Sequence, residues 1–348
     1  MRASGIENNT WETIGGPPNM QHVTGKITRA VGVVCFVAAV GTSADAQQAQ
    51  ARAPITSPTV SEAVAPLEPI APTARDGTRG EGFLRKPPGP GPFPAVVLIH
   101  GGITRQPTAR LREYALGSWS SRFLAAGYVI AAITYRSRDV DLQSTDSLED
   151  ALAAIDYVRR LSYVDRNSIV VNGPSGGGDL ALAVAAETDI AVIVPEEPAS
   201  PVFTGVFNKQ SPKKGDRYTT ADAAPILANP KNYYTEEYQK LTREKIARIR
   251  CPILIVQGDQ HPLYRFNGEI LIPELRAAGK TLEVLTYPGE PHSFAFYSIP
   301  SRTPRPAVAL KAFQDITAFL QRRLGTKPVP INSSLVKQVP FGTPAVEH

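Results

Sequence analysis

Short apolar runs alternate with longer amphipathic segments through the middle of this chain. Residues 95–99 and 128–134 are almost continuously apolar, as in strands that are buried on both faces of a parallel sheet. Leucine, isoleucine and valine recur at helical spacing in 148–161, which predicts a helix with one face on that sheet. Further strands are predicted at 81–86, 169–172, 190–194, 252–257 and 281–286, and further helices at 111–126, 267–278 and 307–324. Such alternation predicts an α/β fold with a doubly wound, mostly parallel sheet.

The segments outside this alternation divide the chain into regions. Residues 47–79 are rich in proline and alanine without apolar periodicity, which is typical of a linker or arm. The α/β domain is predicted at 80–324, with 198–248 as a small cap insertion, and 325–348 as an extended C-terminal tail.

The first 46 residues have the pattern of an upstream segment followed by a secretory signal. Lys26 and Arg29 precede eleven mostly apolar residues, 30–40, and Ala44-Asp45-Ala46 forms a small-residue cleavage site. Eleven residues are too few to span a bilayer as a helix. Residues 1–19 carry none of this pattern, and whether Met20 is the true start stays open. We expect cleavage before Gln47 to release an exported (periplasmic or secreted) protein that does not span the membrane.

Charge and cysteine content exclude several classes of function. The net charge is only +5, and the basic residues are scattered, so no nucleic-acid-binding surface is predicted. Of the two cysteines, Cys35 lies in the predicted signal and Cys251 is then alone. Neither a disulfide within the mature chain nor a metal cluster is expected, and no metal or organic cofactor is predicted.

The segment Gly173-Pro-Ser-Gly-Gly177 has the G-x-S-x-G spacing, between a predicted strand and a predicted helix of small residues. That context is typical of a nucleophile elbow, in which a strained turn exposes the serine hydroxyl above the sheet. Larger side chains at positions 173 and 177 would collide with the neighbouring strand and helix. The alternative, a glycine-rich phosphate loop, lacks the G-x-G-x-x-G order and the G-K-[ST] ending. Ser175 is therefore the candidate nucleophile.

A serine hydroxyl needs a base within hydrogen-bond reach before it can attack. Among the five histidines, His292 lies in the loop after the last predicted strand, at the edge of the sheet that carries Ser175. The segment His100-Gly-Gly-Ile103 follows another strand, and its backbone N–H groups can approach an oxyanion. We assign the oxyanion donors to the amide of Gly176 and that of Gly102 or Ile103. His100 is expected to support this loop rather than to transfer protons.

Together these motifs resemble the α/β-hydrolase superfamily, especially dienelactone-hydrolase-like esterases and the catalytic domain of prolyl-oligopeptidase-type enzymes. The resemblance extends over about residues 80–324. It rests on His100-Gly-Gly102, Tyr135-Arg136, Val164-Asp165, the Ser175 elbow and Pro291-His-Ser-Phe294. It implies a catalytic triad of serine, histidine and an acid.

The acid departs from the family pattern. Relatives usually carry an aspartate three residues after the glycine that ends the penultimate strand, whereas here the third residue after Gly258 is His261. Two substitutes remain open. Asp259 lies in the same loop, and Glu197 ends the strand after the elbow helix, a position from which some relatives, such as glucuronoyl esterases, take their acid. We favour Glu197.

The predicted function is hydrolysis of a small-molecule carboxylic ester through an acyl-enzyme intermediate. The chain is short for a protein that would also carry the propeller of an oligopeptidase. A serine peptidase acting on small peptides and a non-catalytic, ligand-binding pseudo-hydrolase remain alternatives. Aromatic residues of the predicted cap either shape an acyl or aryl pocket or simply pack against the core: Phe203, Phe207, Tyr218, Tyr233 and Tyr234. The acyl and alcohol groups and the oligomeric state stay open.

Overall fold

An eight-stranded sheet organises the residues that the structure describes, which in this computed structural model are 66–138, 144–207, 220–295 and 306–325. In space the strands follow the order β1-β2-β4-β3-β5-β6-β7-β8. β1 and β2 are antiparallel to their neighbours, and the remaining pairs are parallel. The strands are β1 (Glu68–Ile70), β2 (Glu81–Arg85), β3 (Phe93–Ile99), β4 (Val129–Thr134), β5 (Val164–Pro174), β6 (Val192–Glu196), β7 (Ile253–Gly258) and β8 (Leu282–Tyr287).

Helices connect the strands on both faces of the sheet. They are α1 (Thr108–Leu116), α2 (Ser118–Ala125), α3 (Asp146–Arg159), α4 (Gly176–Glu187), α5 (Ser200–Phe203), α6 (Thr220–Ala228), α7 (Pro230–Tyr233), α8 (Glu236–Arg248), α9 (Pro262–Phe266), α10 (Ile272–Ala277) and α11 (Pro306–Leu324). A π-helical turn, Asn267–Leu271, joins α9 to α10. The predicted α/β fold with a mostly parallel sheet is confirmed.

Both faces of the sheet are covered, which explains the continuously apolar strands. On β3, Val97 and Ile99 point into a cluster with α3 and α4, whereas Val96 and Leu98 point into a second cluster with α1, α2 and α11. All four side chains are inaccessible to solvent. Burial of one such side chain contributes about 1.5–3 kcal/mol, so the central strands supply much of the driving force for folding.

Several predicted boundaries differ from the structure. The arm predicted at 47–79 is part of the sheet from Glu68 onward, because β1 pairs with β2. The single helix predicted at 111–126 is two helices, since Gly117 adopts an extended conformation between them. The cap predicted at 198–248 is also too long, because α8 packs against α4 and α10 beside the sheet. The predicted signal lies outside the described residues, as does the tail beyond Gly325.

The parallel strands bring their carboxyl ends to one edge of the sheet. Ser175 follows β5, Glu197 follows β6, Asp259 follows β7, and His292 lies in the loop after β8. Ligands of open α/β sheets bind at this edge. The topology therefore gathers the predicted chemistry in one region.

Candidate active site

Ser175 occupies a strained turn between β5 and α4. Its backbone φ is 53° and its ψ is −115°, a combination that costs a serine on the order of 1–3 kcal/mol. The neighbouring strand holds the turn in place. The Ser175 amide donates to the carbonyl of Glu196 at 2.8 Å, and its carbonyl accepts from the amide of Ala199 at 2.9 Å. A nucleophile elbow has this geometry.

The glycines on either side of the serine allow three backbone segments to meet. A Cβ atom on Gly173 or on Gly177 would lie well inside 3.0 Å of the carbonyl oxygen of Ile99. That oxygen belongs to the last residue of β3, so it cannot move without disturbing the sheet. The G-x-S-x-G spacing is thus required by the approach of β3 to the elbow.

His100 anchors the loop that follows β3. Its buried ring places Nε2 3.0 Å from Oγ1 of Thr134 and Nδ1 2.7 Å from the carbonyl of Gly101. The ring also stacks on Tyr135, whose hydroxyl donates to the carbonyl of Gly102. Burial lowers the pKa of His100 to about 4. The imidazole is therefore neutral at neutral pH and fixes the shape of the loop.

A buried ion pair joins the loop after β4 to the elbow helix. The guanidinium of Arg138 lies 2.7 Å from the carboxylate of Asp179, and both side chains are almost fully buried. Arg138 also donates from its backbone to the carbonyl of Ile103 at 2.6 Å and from Nη2 to the carbonyl of Gly176 at 3.4 Å. Sequence reasoning missed this pair. The only available signal is an acidic residue one helical turn after Ser175.

Glu197 lies across the end of β7 and contacts His292. Its backbone φ is 42°, and its amide donates to the carbonyl of Val256 at 2.8 Å. One carboxylate oxygen, Oε1, accepts from the amide of Gly258 at 2.7 Å. The other, Oε2, accepts from the amide of Ser293 and lies 2.7 Å from Nδ1 of His292. Two amides thus fix the carboxylate beside the imidazole.

Asp259 has a different environment. Its Oδ1 accepts from Nε2 of Gln260 at 2.7 Å and from the amide of Gly289 at 2.8 Å. These hydrogen bonds lower the pKa of Asp259, so it is ionised at neutral pH. The carboxylate fastens the loop that leads to His292, whereas the imidazole itself faces Glu197. Of the two carboxylates that the sequence left open, the structure brings Glu197 to the histidine.

Glu196, the neighbour of Glu197, belongs to a buried polar network. Its Oε1 accepts from Nδ2 of Asn172 at 2.7 Å, and Oδ1 of Asn172 accepts from the indole of Trp119 at 3.0 Å. Burial raises the pKa of Glu196 to about 8; the hydrogen bond from Asn172 lowers it, and the charge of Glu197 raises it further. Glu196 is therefore protonated at neutral pH.

We expect Glu196→Gln to make the protein more stable than the wild type at alkaline pH. Between the ordinary pKa of 4.5 and the raised value of about 8, the unfolded chain releases a proton that the folded chain keeps. Each pH unit in that window lowers the free energy of unfolding by about 1.4 kcal/mol. The amide cannot ionise, so the melting-temperature advantage of the variant should grow from about pH 5 to about pH 8. A difference that is constant across this range would contradict the assignment; exposed Glu244→Gln is the control.

The predicted cap contributes a separate apolar cluster beside the loop of Ile103. Phe207 is completely buried in it, and Tyr233 and Tyr234 pack against it. Phe203 lies in the core cluster that includes α3 and α4, and Tyr218 is outside the described residues. Each of these aromatic side chains that the structure describes packs in or against an apolar cluster.

Comparison with known protein families assigns this architecture. The model of the prolyl oligopeptidase family matches residues 118–327, more than half of the chain. The chain belongs to the prolyl oligopeptidase family. Membership agrees with the predicted resemblance, and the chain spans less than half the length of the curated relative that it matches.

The chain is similar to a quorum-quenching protein in sequence, and to an esterase and a peptidase in fold. Over 133 residues its sequence is 33% identical to the quorum-quenching protein AidA of Acinetobacter baumannii, a match that spans 35% of this chain and 41% of AidA. The fold is similar to carboxyl esterase 2 of Tuber melanosporum, with a TM-score of 0.56, 19% identity, and coverage of 76% of this chain and 89% of that one. It is also similar to the acylaminoacyl peptidase of Pyrococcus horikoshii, with a TM-score of 0.55, 18% identity, and coverage of 78% of this chain and 44% of that one.

Within the residues that the structure describes, no helix has both the length and the apolar character that a membrane span requires. Within the same residues, histidine, cysteine and carboxylate side chains form no group suited to hold a metal ion.

Proposed function

We propose that this protein is an exported serine hydrolase that cleaves small-molecule carboxylic esters through an acyl-enzyme intermediate. The observation that carries the proposal is the contact between Glu197 and Nδ1 of His292, at the sheet edge where the elbow presents Ser175. A carboxylate on Nδ1 leaves Nε2 of the same ring to accept the proton of a serine hydroxyl.

The reaction uses these groups in two steps. Ser175 Oγ forms a bond to the ester carbonyl carbon while its proton passes to Nε2 of His292. The proton then goes to the departing alkoxide as the carbon–oxygen bond breaks, which leaves the acyl group on Ser175. Water repeats the sequence, releases the carboxylic acid and restores the serine. Glu197 orients the imidazole and stabilises its charged form throughout.

Backbone amides complete the site. Gly176 begins α4, and its N–H belongs to the first helical turn, where amides have no intrahelical acceptor. The second donor is the amide of Gly102 rather than that of Ile103. The carbonyl of Gly102 faces the Gly176 backbone and the hydroxyl of Tyr135, and in a trans peptide the following N–H points the opposite way. Donors of this kind contribute about 2.7–4 kcal/mol to lowering the barrier.

Because the chain belongs to a family named for oligopeptidases, peptide hydrolysis is the rival function. Similarity to a carboxyl esterase supports the ester, and similarity to an acylaminoacyl peptidase supports the rival. A panel of short-chain nitrophenyl esters, lactones and aminoacyl amides separates them. We expect kcat/KM for the open esters to exceed that for the amides, and the reverse order would replace the proposal by the peptidase.

The nucleophile is tested with a fluorophosphonate probe. We expect the wild type to be labelled, Ser175→Ala to remain unlabelled, and ester turnover of that variant to fall by about 10⁶-fold. Ser118→Ala, at the start of α2, is the matched serine control and should be labelled like the wild type. Absence of labelling in the folded wild type would favour the non-catalytic, ligand-binding pseudo-hydrolase.

Export is a separate part of the proposal. It is supported by the positive, apolar and small-residue segments of 20–46. Expression of the full chain in a bacterial host, followed by N-terminal sequencing of the exported fraction, should give a mature protein that starts at Gln47. Recovery of the uncleaved protein in the cytosol alone would exclude it.

A further inference from the structure

A second imidazole lies against the face of His292. The ring centroids of His261 and His292 are 4.0 Å apart, and the two ring planes differ by 21°. His261 stands three residues after Gly258, the place where the resembled family carries its acid. Here Glu197 reaches His292 from the end of β6. The position of the family's acid holds the imidazole ring of His261 instead of a carboxylate.

The hydrogen bonding of His261 defines its tautomer. Nδ1 accepts the backbone N–H of Leu263 at 3.1 Å, which makes His261 the N-cap of α9. A nitrogen that accepts a hydrogen bond carries no proton, so the neutral ring has its proton on Nε2. A second proton would have to bind Nδ1 and would break the capping bond. The local backbone therefore favours the neutral form of this ring.

The charged groups around the pair are mainly acidic. Glu197 approaches His292 from the end of β6, and Glu290 is buried in the loop after β8. Asp259, in the loop of His261 itself, is engaged with Gln260 and Gly289. On α9, the basic group is Arg265, which is paired with Glu269 at the exposed surface. In these surroundings the carboxylate of Glu197 faces His292, whereas the ring of His261 is held by its N-cap bond.

We propose that His261 is a positioning residue whose neutral ring stacks on His292, keeps that imidazole facing Glu197 and stabilises the imidazolium formed when Ser175 loses its proton. This inference rests on the proposed function. Flat stacking of a neutral aromatic ring on a cation is favourable because the face of the ring is electron-rich. Stacking also removes the rotational freedom that an imidazole on a loop would otherwise have.

Two variants separate the stack from the N-cap. His261→Asn keeps a side-chain acceptor for the amide of Leu263, since asparagine is a favoured N-cap residue, but it removes the ring. His261→Phe keeps a ring and loses the acceptor. We expect His261→Asn to lower kcat/KM by about three- to tenfold and to move the acidic limb of its pH profile to lower pH by about half a unit. His261→Phe should keep the limb near the wild-type position and melt a few degrees lower.

The outcomes decide between this role and others. A shift of the acidic limb to higher pH in His261→Asn would mean that His261 is charged in the wild type, and an unmoved limb with unchanged kcat/KM would remove any role for the stack. Loss of activity as complete as in Ser175→Ala would make His261 the base itself. Each of these results overturns the inference. Tyr264→Phe, exposed on α9, controls for disturbance of the helix.

Failure of the proposed function would look different. In that case the wild type is neither labelled by the fluorophosphonate nor active on esters, and no pH profile exists. If the wild type is labelled and active, and His261→Asn has the same kcat/KM and the same pH profile, then the proposed role of His261 is contradicted while the proposed function stands.

Discussion

Replacement of Glu197 by glutamine is expected to lower kcat by about 10⁴-fold, the loss typical of a catalytic triad whose acid becomes an amide. The carboxylate of the wild type accepts from two backbone amides and lies 2.7 Å from Nδ1 of His292. An amide in the same place loses the negative charge that stabilises the imidazolium. It also presents an NH₂ group to partners that are themselves donors. Steady-state kinetics on a short-chain ester gives the measurement.

Asp259→Asn is the matched comparison, because it makes the same change on the neighbouring loop. In the wild type the Asp259 carboxylate accepts from Gln260 and Gly289 rather than facing the imidazole. We therefore expect the variant to lower kcat by about tenfold or less, because the loop of His292 is held less firmly. The assignment of the acid fails if Asp259→Asn is the severe variant and Glu197→Gln the mild one. Circular dichroism on both variants establishes that each is folded.

A methyl group on the residue after the nucleophile is also expected to slow the reaction strongly. In Gly176→Ala, the new Cβ would lie well inside 3.0 Å of the carbonyl oxygen of Gly102. That oxygen also accepts the hydroxyl of Tyr135, and His100 anchors the same loop from the other side. The loop must therefore move away from the elbow, which separates the two proposed oxyanion donors. We expect kcat to fall by about 10²–10³-fold, as when one such donor is lost.

The control for this substitution is Gly268→Ala. A Cβ on Gly268 has open space around it, so the same glycine-to-alanine change should leave kcat near the wild-type value. Ester kinetics and the rate of fluorophosphonate labelling are measured on both variants. Wild-type kcat in a folded Gly176→Ala would show that the loop of Gly102 takes no part in stabilising the oxyanion.

Local patterns were sufficient to predict the strand–turn–helix at Ser175. A continuously apolar strand, a glycine-flanked serine and a helix of small residues each point to the same structure, because the turn cannot form without glycine beside β3. Predictions were wrong where a single glycine or a short pairing decides the boundary. Gly117 divides the predicted helix into α1 and α2, and three residues of β1 join the sheet although proline-rich sequence surrounds them.

The sequence by itself determined the α/β fold, the position of the elbow and the order of nucleophile and histidine, since these depend on periodicity and on backbone conformations that few residues adopt. Only the tertiary structure placed Glu197 on His292, Asp259 on Gly289, Arg138 on Asp179 and His261 on the catalytic imidazole. Each of these contacts joins residues from different strand ends or loops. Which of two nearby carboxylates meets a histidine depends on the register of β6 against β7 and on the direction of each side chain. The packing of the whole sheet sets both, so the sequence could favour Glu197 over Asp259 but could not decide between them.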